Sequence, residues 1–225
     1  MNTHVAAAAA LQWAWILLSG PAAADTLARS TTSIYSLVAD ADHGRVLYLK
    51  HCRSCHGEHA FGDGPRAIPS LAGQREDYLI KQLTEFATDK REGISMHEVM
   101  RRPDLDWAQS ARDLAAYLSQ AQRSPGPETG EGDGLATARS LYQAQCQECH
   151  GARGQGVAAG IPAIGGQHYR YVLAQLQDLA NGHRNAGPSA NMATVSAATR
   201  KSIADYISRL SHLTADDPEV SRSGH

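Results

Sequence analysis

Four cysteines stand in two pairs, Cys52/Cys55 and Cys146/Cys149, and a histidine follows each pair at once, His56 and His150. Two thiols three positions apart on one helical turn share a side of the chain. They can reach two vinyl groups along one edge of a porphyrin. The next residue then projects beneath the ring and offers an imidazole nitrogen to iron. The pattern points to covalent attachment of two c-type haems through Cys52, Cys55, Cys146 and Cys149, with His56 and His150 as iron ligands. Other uses of paired cysteines fit less well. A thioredoxin-like pair needs a βαβ setting, and no such pattern flanks either pair. A four-cysteine zinc site wants its pairs about 15–20 residues apart, whereas Cys52 and Cys146 are 94 apart. A disulfide closed over two intervening residues is strained and rarely structural.

The surroundings of the two motifs repeat. Leu47-Tyr48 precedes the first and Leu141-Tyr142 the second, at an offset of 94. Ile68-Pro69-Ser70-Leu71-Ala72-Gly73-Gln74 matches Ile161-Pro162-Ala163-Ile164-Gly165-Gly166-Gln167 at an offset of 93. Tyr78 with Gln82-Leu83 matches Tyr171 with Gln175-Leu176. Ala115-Ala116-Tyr117-Leu118 matches Ala204-Asp205-Tyr206-Ile207 at an offset of 89, so the second copy is about five residues shorter. Two copies of this length are a domain duplication rather than a solenoid. Ser124–Gly132, rich in Pro and Gly, separates them and defeats helix and strand alike.

The elements that position these residues read as helices and loops. Asp42-His43-Gly44 opens a first helix that runs into Cys52. A long glycine-containing loop follows the motif. Tyr78, Leu79, Leu83 and Phe86 share one face of a second helix, and Ala111, Leu114, Ala115 and Leu118 one face of a third. No stretch alternates with period two over β-branched residues. An all-α fold is expected, in two domains spanning 25–126 and 127–225.

Residues 1–24 carry no Lys, Arg, Asp or Glu, and Val5–Leu18 is apolar but for Gln12. With Pro21-Ala22-Ala23-Ala24 behind it, the stretch reads as a signal peptide cut after Ala24, leaving 201 of 225 residues for an oxidising compartment. The alternative is an uncleaved anchor, but the run is shorter than the ~20 residues that span a bilayer. No later segment could span one. Splitting at Gly126 gives 13 basic against 14 acidic residues, then 8 against 9, within a formal net charge of -2. Neither half resembles a nucleic-acid arm or a polybasic membrane tail. Lys90-Arg91 and Arg101-Arg102 are local basic patches, read as solvated faces. Aromatic content is only 6%, thin for two small cores, so part of each core is expected to be filled by cofactor.

Taken together, the two attachment motifs, Pro69–Gln74, Pro162–Gln167, Tyr78 with Gln82-Leu83, Tyr171 with Gln175-Leu176 and Ala115–Leu118 resemble the dihaem class I cytochromes c, most closely the cytochrome c4 family. The resemblance covers nearly the whole chain after residue 24. It implies two tandem class I cytochrome c domains, each wrapped around one covalent haem. It also implies haem edges meeting at the domain interface, and a periplasmic electron carrier rather than an enzyme. The donor implied is a quinol-oxidising complex or dehydrogenase, and the acceptor a haem-copper terminal oxidase. Two alternatives remain: a cytochrome subunit bound to a periplasmic dehydrogenase, and a dihaem enzyme, peroxidase or thiosulfate-oxidising.

Iron in such proteins commonly takes a methionine sulfur opposite the histidine. Met192 has no rival in the second copy. In the first, Met96 and Met100 compete, and the family spacing favours Met100, 17 residues before Tyr117. Met192 lies only 14 before Tyr206, about one helical turn short of that spacing. His97 and His183 are alternative ligands in the same loops. The resemblance further implies that the carbonyls of Pro69 and Pro162 orient His56 and His150. Tyr78 and Tyr171 either reach a haem propionate or pack by their rings.

Overall fold

The computed structural model describes residues 34–184 and 192–210; the expected signal peptide lies outside them. The architecture is all-helical, and among the described residues the only β feature is an isolated bridge between Asp63 and Ile68. Among the same residues no helix is long and apolar enough to cross a membrane.

The first unit opens with α1, Ala41–Leu47, whose N-cap Asp40 accepts the His43 backbone N–H. The expected single helix into Cys52 is instead interrupted. The chain widens into a π-helical turn over Tyr48–Cys52 and tightens again into α2, Arg53–His56. An inserted residue of this kind often marks a functional site, and here it sits immediately before the cysteine pair. After the loop come α3, Glu76–Ala87, then α4, Ile94–Met100, then α5, Trp107–Gln120. The α4 helix was not expected. The α5 helix buries Ala111, Leu114, Ala115 and Leu118 as its periodicity predicts. The α3 helix buries Leu79, Leu83 and Phe86, with Ile80 added.

The second unit repeats the plan. It comprises α6, Leu135–Gln145, α7, Gln147–His150, α8, Tyr169–Asn181, a 3-10 turn over Met192–Thr194, and α9, Ala197–Arg209. In both units the last helix is the hub: α5 packs against α1 and α3, and α9 against α6 and α8. The crossings are pinned by tilted tyrosine pairs, Tyr48 with Tyr117 at 5.7 Å and Tyr142 with Tyr206 at 5.5 Å between ring centroids. Gly44 makes the first crossing possible, since a Cβ there would lie 2.1 Å from the Asp113 carbonyl oxygen.

The inter-unit stretch is free of helix, as Pro and Gly require, but it is anchored. The backbone N–H groups of Gly130 and Gly132 donate to Asp205 Oδ1 and Oδ2 at 2.8 and 2.6 Å. Glu128 N–H donates to His168 Nδ1 at 3.0 Å, and His168 Nε2 donates in turn to the Phe61 carbonyl at 2.7 Å. One imidazole thus ties the connecting segment to both units.

Candidate functional site

Each cysteine pair straddles a break in helical geometry. Cys52 and Cys146 have nearly the same backbone angles, φ −115 and −118, and each starts the short helical turn that carries its second cysteine and histidine. Gly57 and Gly151 then end those turns at φ 81 and 80, a left-handed conformation suited to glycine. Their carbonyls accept the hydroxyl hydrogens of Tyr48 and Tyr142. No disulfide closes either cysteine pair. Burial pushes the Cys52 thiol up to about 12 and raises Cys146 as well.

The two histidines are set alike. His56 Nδ1 lies 3.0 Å from the Pro69 carbonyl, and His150 Nδ1 lies 3.1 Å from that of Pro162. A carbonyl oxygen only accepts, so each Nδ1 carries the hydrogen and each Nε2 keeps its lone pair. Burial lowers the pKa of both rings, and the proline bonds oppose this only in part. A neutral imidazole, oriented through one nitrogen and basic at the other, is the donor that haem iron requires. The residues therefore fit covalent haem: thiols for the vinyl groups and a directed Nε2 for the metal.

The methionines differ in placement. Met100 ends α4 and is 1% exposed within the first core, whereas Met96 is only partly buried against it. Met192, 8% exposed, sits on the 3-10 turn, and Arg200 Nη1 donates to its carbonyl at 3.2 Å. Both ring nitrogens of His97 are engaged, Nδ1 with Asp89 at 2.8 Å and Nε2 with the Arg91 carbonyl. His183 is exposed.

The seam between the units gives cross-unit partners to residues that the repeat marks without such a role, and adds Arg184, which pattern reading missed. Gln74 brackets Ala163, donating from Nε2 to its carbonyl and accepting its N–H at Oε1, both at 2.8 Å. Gln167 does the same to Ser70, both bonds at 2.9 Å. A second crossed pair lies beside it. Arg91 donates to Gln82, Tyr171 and Gln175, and Arg184 to Gln175, Tyr78 and Gln82. Arg91 is therefore no solvated face, and it also stacks over the Phe86 ring at 4.6 Å. Burial raises the Tyr78 pKa; at Tyr171 the two guanidinium groups outweigh burial and lower it. Arg101 and Arg102 do face solvent, paired with Asp89 and Asp104.

Two such sites, each with paired thiols and a proline-oriented histidine, define a dihaem cytochrome c. The family model for cytochrome c matches residues 41–122, and that for cytochrome C oxidase, cbb3-type, subunit III matches residues 133–207. Cytochrome c4 of Stutzerimonas stutzeri is 35% identical over 173 residues, covering 71% of this chain and 80% of that protein. The thiosulfate dehydrogenase electron acceptor of Stutzerimonas stutzeri (strain A1501) is 27% identical, covering 82% of this chain and 94% of that one. The crystal structure of reduced recombinant cytochrome c4 from Pseudomonas stutzeri superposes with a TM-score of 0.66 at 29% identity, covering 77% of this chain and all of that one. The chain belongs to the cytochrome c4 family, as a dihaem electron carrier with two covalent haem c groups.

Proposed function

We propose that the protein is periplasmic and carries single electrons between respiratory complexes, towards a haem-copper terminal oxidase. Its units are 25–126 and 127–225, with iron held by His56 and Met100 in the first and by His150 and Met192 in the second. The observation that carries this reading is a paired one. Each unit contains a buried or half-buried histidine oriented through Nδ1, and one buried methionine in the segment before its last helix. Bound haem supplies reversible one-electron exchange between ferric and ferrous iron. The chain's own residues would hold it and exclude water, with His56, Met100, His150 and Met192 supplying the protein ligands of the two irons.

On the donor side, likeness to a relative named thiosulfate dehydrogenase electron acceptor supports a dehydrogenase as well as a quinol-oxidising complex. The deciding test is carbon monoxide. Reduced protein with four protein axial ligands leaves its spectrum unchanged under the gas. Uptake by the unmodified protein would replace the carrier reading with that of an open-site enzyme. Copurification of the native protein with a large subunit would favour the dehydrogenase-bound form.

A further inference from the structure

The peptide group between Pro69 and Ser70 is bonded at both ends. Its carbonyl accepts from His56 Nδ1 at 3.0 Å, and its N–H donates to Gln167 Oε1 at 2.9 Å. The peptide between Pro162 and Ala163 repeats this: its carbonyl accepts from His150 Nδ1 at 3.1 Å, and its N–H donates to Gln74 Oε1 at 2.8 Å. In each case the histidine and the proline belong to one unit and the glutamine to the other. All four hydrogen bonds are of ordinary length, and Gln74 and Gln167 are each 7% exposed, so water does not compete.

We propose that Gln74 and Gln167 are positioning residues that tune the haem of the opposite unit, Gln167 acting on His56 and Gln74 on His150. The physical basis is polarisation along a chain of hydrogen bonds. An amide whose N–H is engaged carries more negative charge on its oxygen and accepts more strongly. A stronger acceptor draws the Nδ1 hydrogen and makes Nε2 more basic, which favours the ferric state of the iron it ligates. The glutamine side chain also donates back to the next carbonyl, that of Ser70 or Ala163, which holds the peptide plane in register. The seam is thereby a communication line: any change in the docking of the units reaches both axial histidines through two covalent peptide groups. This rests on His56 and His150 as iron ligands and not on the identity of the partners.

The test is a redox titration of the dihaem protein in which the haem methyl proton resonances of each unit are followed separately. In Gln167→Leu the first-unit haem becomes easier to reduce, its ferrous-to-ferric ratio at fixed potential rising about two- to threefold, as expected from polarisation of order 10–30% per bond. The second-unit haem stays as it was. Gln74→Leu gives the reciprocal pattern. In the reduced protein the His56 Nδ1–H resonance moves upfield in Gln167→Leu, reporting the weaker bond directly. Gln167→Asn keeps the amide with a shorter reach and gives a smaller shift of the same haem, which serves if the leucine variant loads poorly. A shift confined to the haem of the mutated unit, equal shifts of both haems, or no shift in a fully loaded protein overturns the proposal.

Discussion

Arg91, in the first unit, donates through Nη2 to the hydroxyl of Tyr171 in the second, at 3.0 Å. Its counterpart Arg184 reaches Tyr78 in the opposite direction, and both guanidinium groups share the Oε1 atoms of Gln82 and Gln175. Because two of the four acceptors, Gln82 and Gln175, are shared, the two arginines act as one unit. Arg91→Gln and Arg184→Gln should each weaken docking by about 1.5–3 kcal/mol, the range for hydrogen bonds to charged groups. The double variant should cost less than their sum. Denaturant unfolding of the four proteins measures the cycle, and strict additivity would mean that the pairs are independent.

The proposed methionine ligands make a separate prediction. The oxidised protein should show the weak far-red charge-transfer band of methionine on ferric iron. Met192→Ala and Met100→Ala should each halve it and admit carbon monoxide to one haem, while Met96→Ala should leave it intact. Loss of the first unit's share in Met96→Ala would reassign the ligand.

Acid sensitivity follows from Asp205. Burial raises its pKa, but bonds from Arg209, Gly132 and Gly130 outweigh that, and the folded carboxyl lies below its ordinary 3.8. A depressed folded value stabilises the ionised, folded state. The contribution is complete above about pH 5 and fades as pH falls through 3.8 towards the folded value. Asp205→Asn should cost about 1–3 kcal/mol at pH 7 through the backbone donors it leaves badly matched. It should also flatten the loss of stability between pH 5 and pH 2. Thermal unfolding across that range checks both.

Gly44→Ala should be severe for so small a change. The added carbon would lie 2.1 Å from a backbone oxygen on α5, so α1 must move off the last helix. Overpacking of this kind costs about 1–3 kcal/mol or more. A thermal midpoint unchanged from the parent would show that the crossing relaxes freely.

Much of the site was legible because its chemistry is local. Cys52, Cys55 and His56 lie within five residues, and the prolines that orient the histidines lie 12 or 13 further on. The buried face of α5 was legible because one periodic stripe faces one core. The π-turn was not, since one inserted residue leaves the apolar pattern before Cys52 unchanged. The α4 helix was hidden by its seven-residue length and by Gly93 before it, at φ 150. Arg91 read as a surface charge because two of its acceptors, Tyr171 and Gln175, lie 80 and 84 residues away in the other unit. Gln74 and Gln167 stood out as matched positions, but spacing alone says nothing of partners 89 and 97 residues distant.

The unequal burial of the thiols bears on the order of assembly. In the closed fold the Cys52 sulfur, at the end of the π-turn, is a poor nucleophile, its thiol pushed up to about 12 by burial; Cys146 is raised the same way, whereas Cys55 is exposed. A thiolate is what reacts. Thioether formation at Cys52 and Cys146 is therefore expected to run faster on a chain that has not yet closed than on the folded one. Docking of the two repeats along Gln74 and Gln167 would then act as a late checkpoint, passed by chains that already carry their pigment.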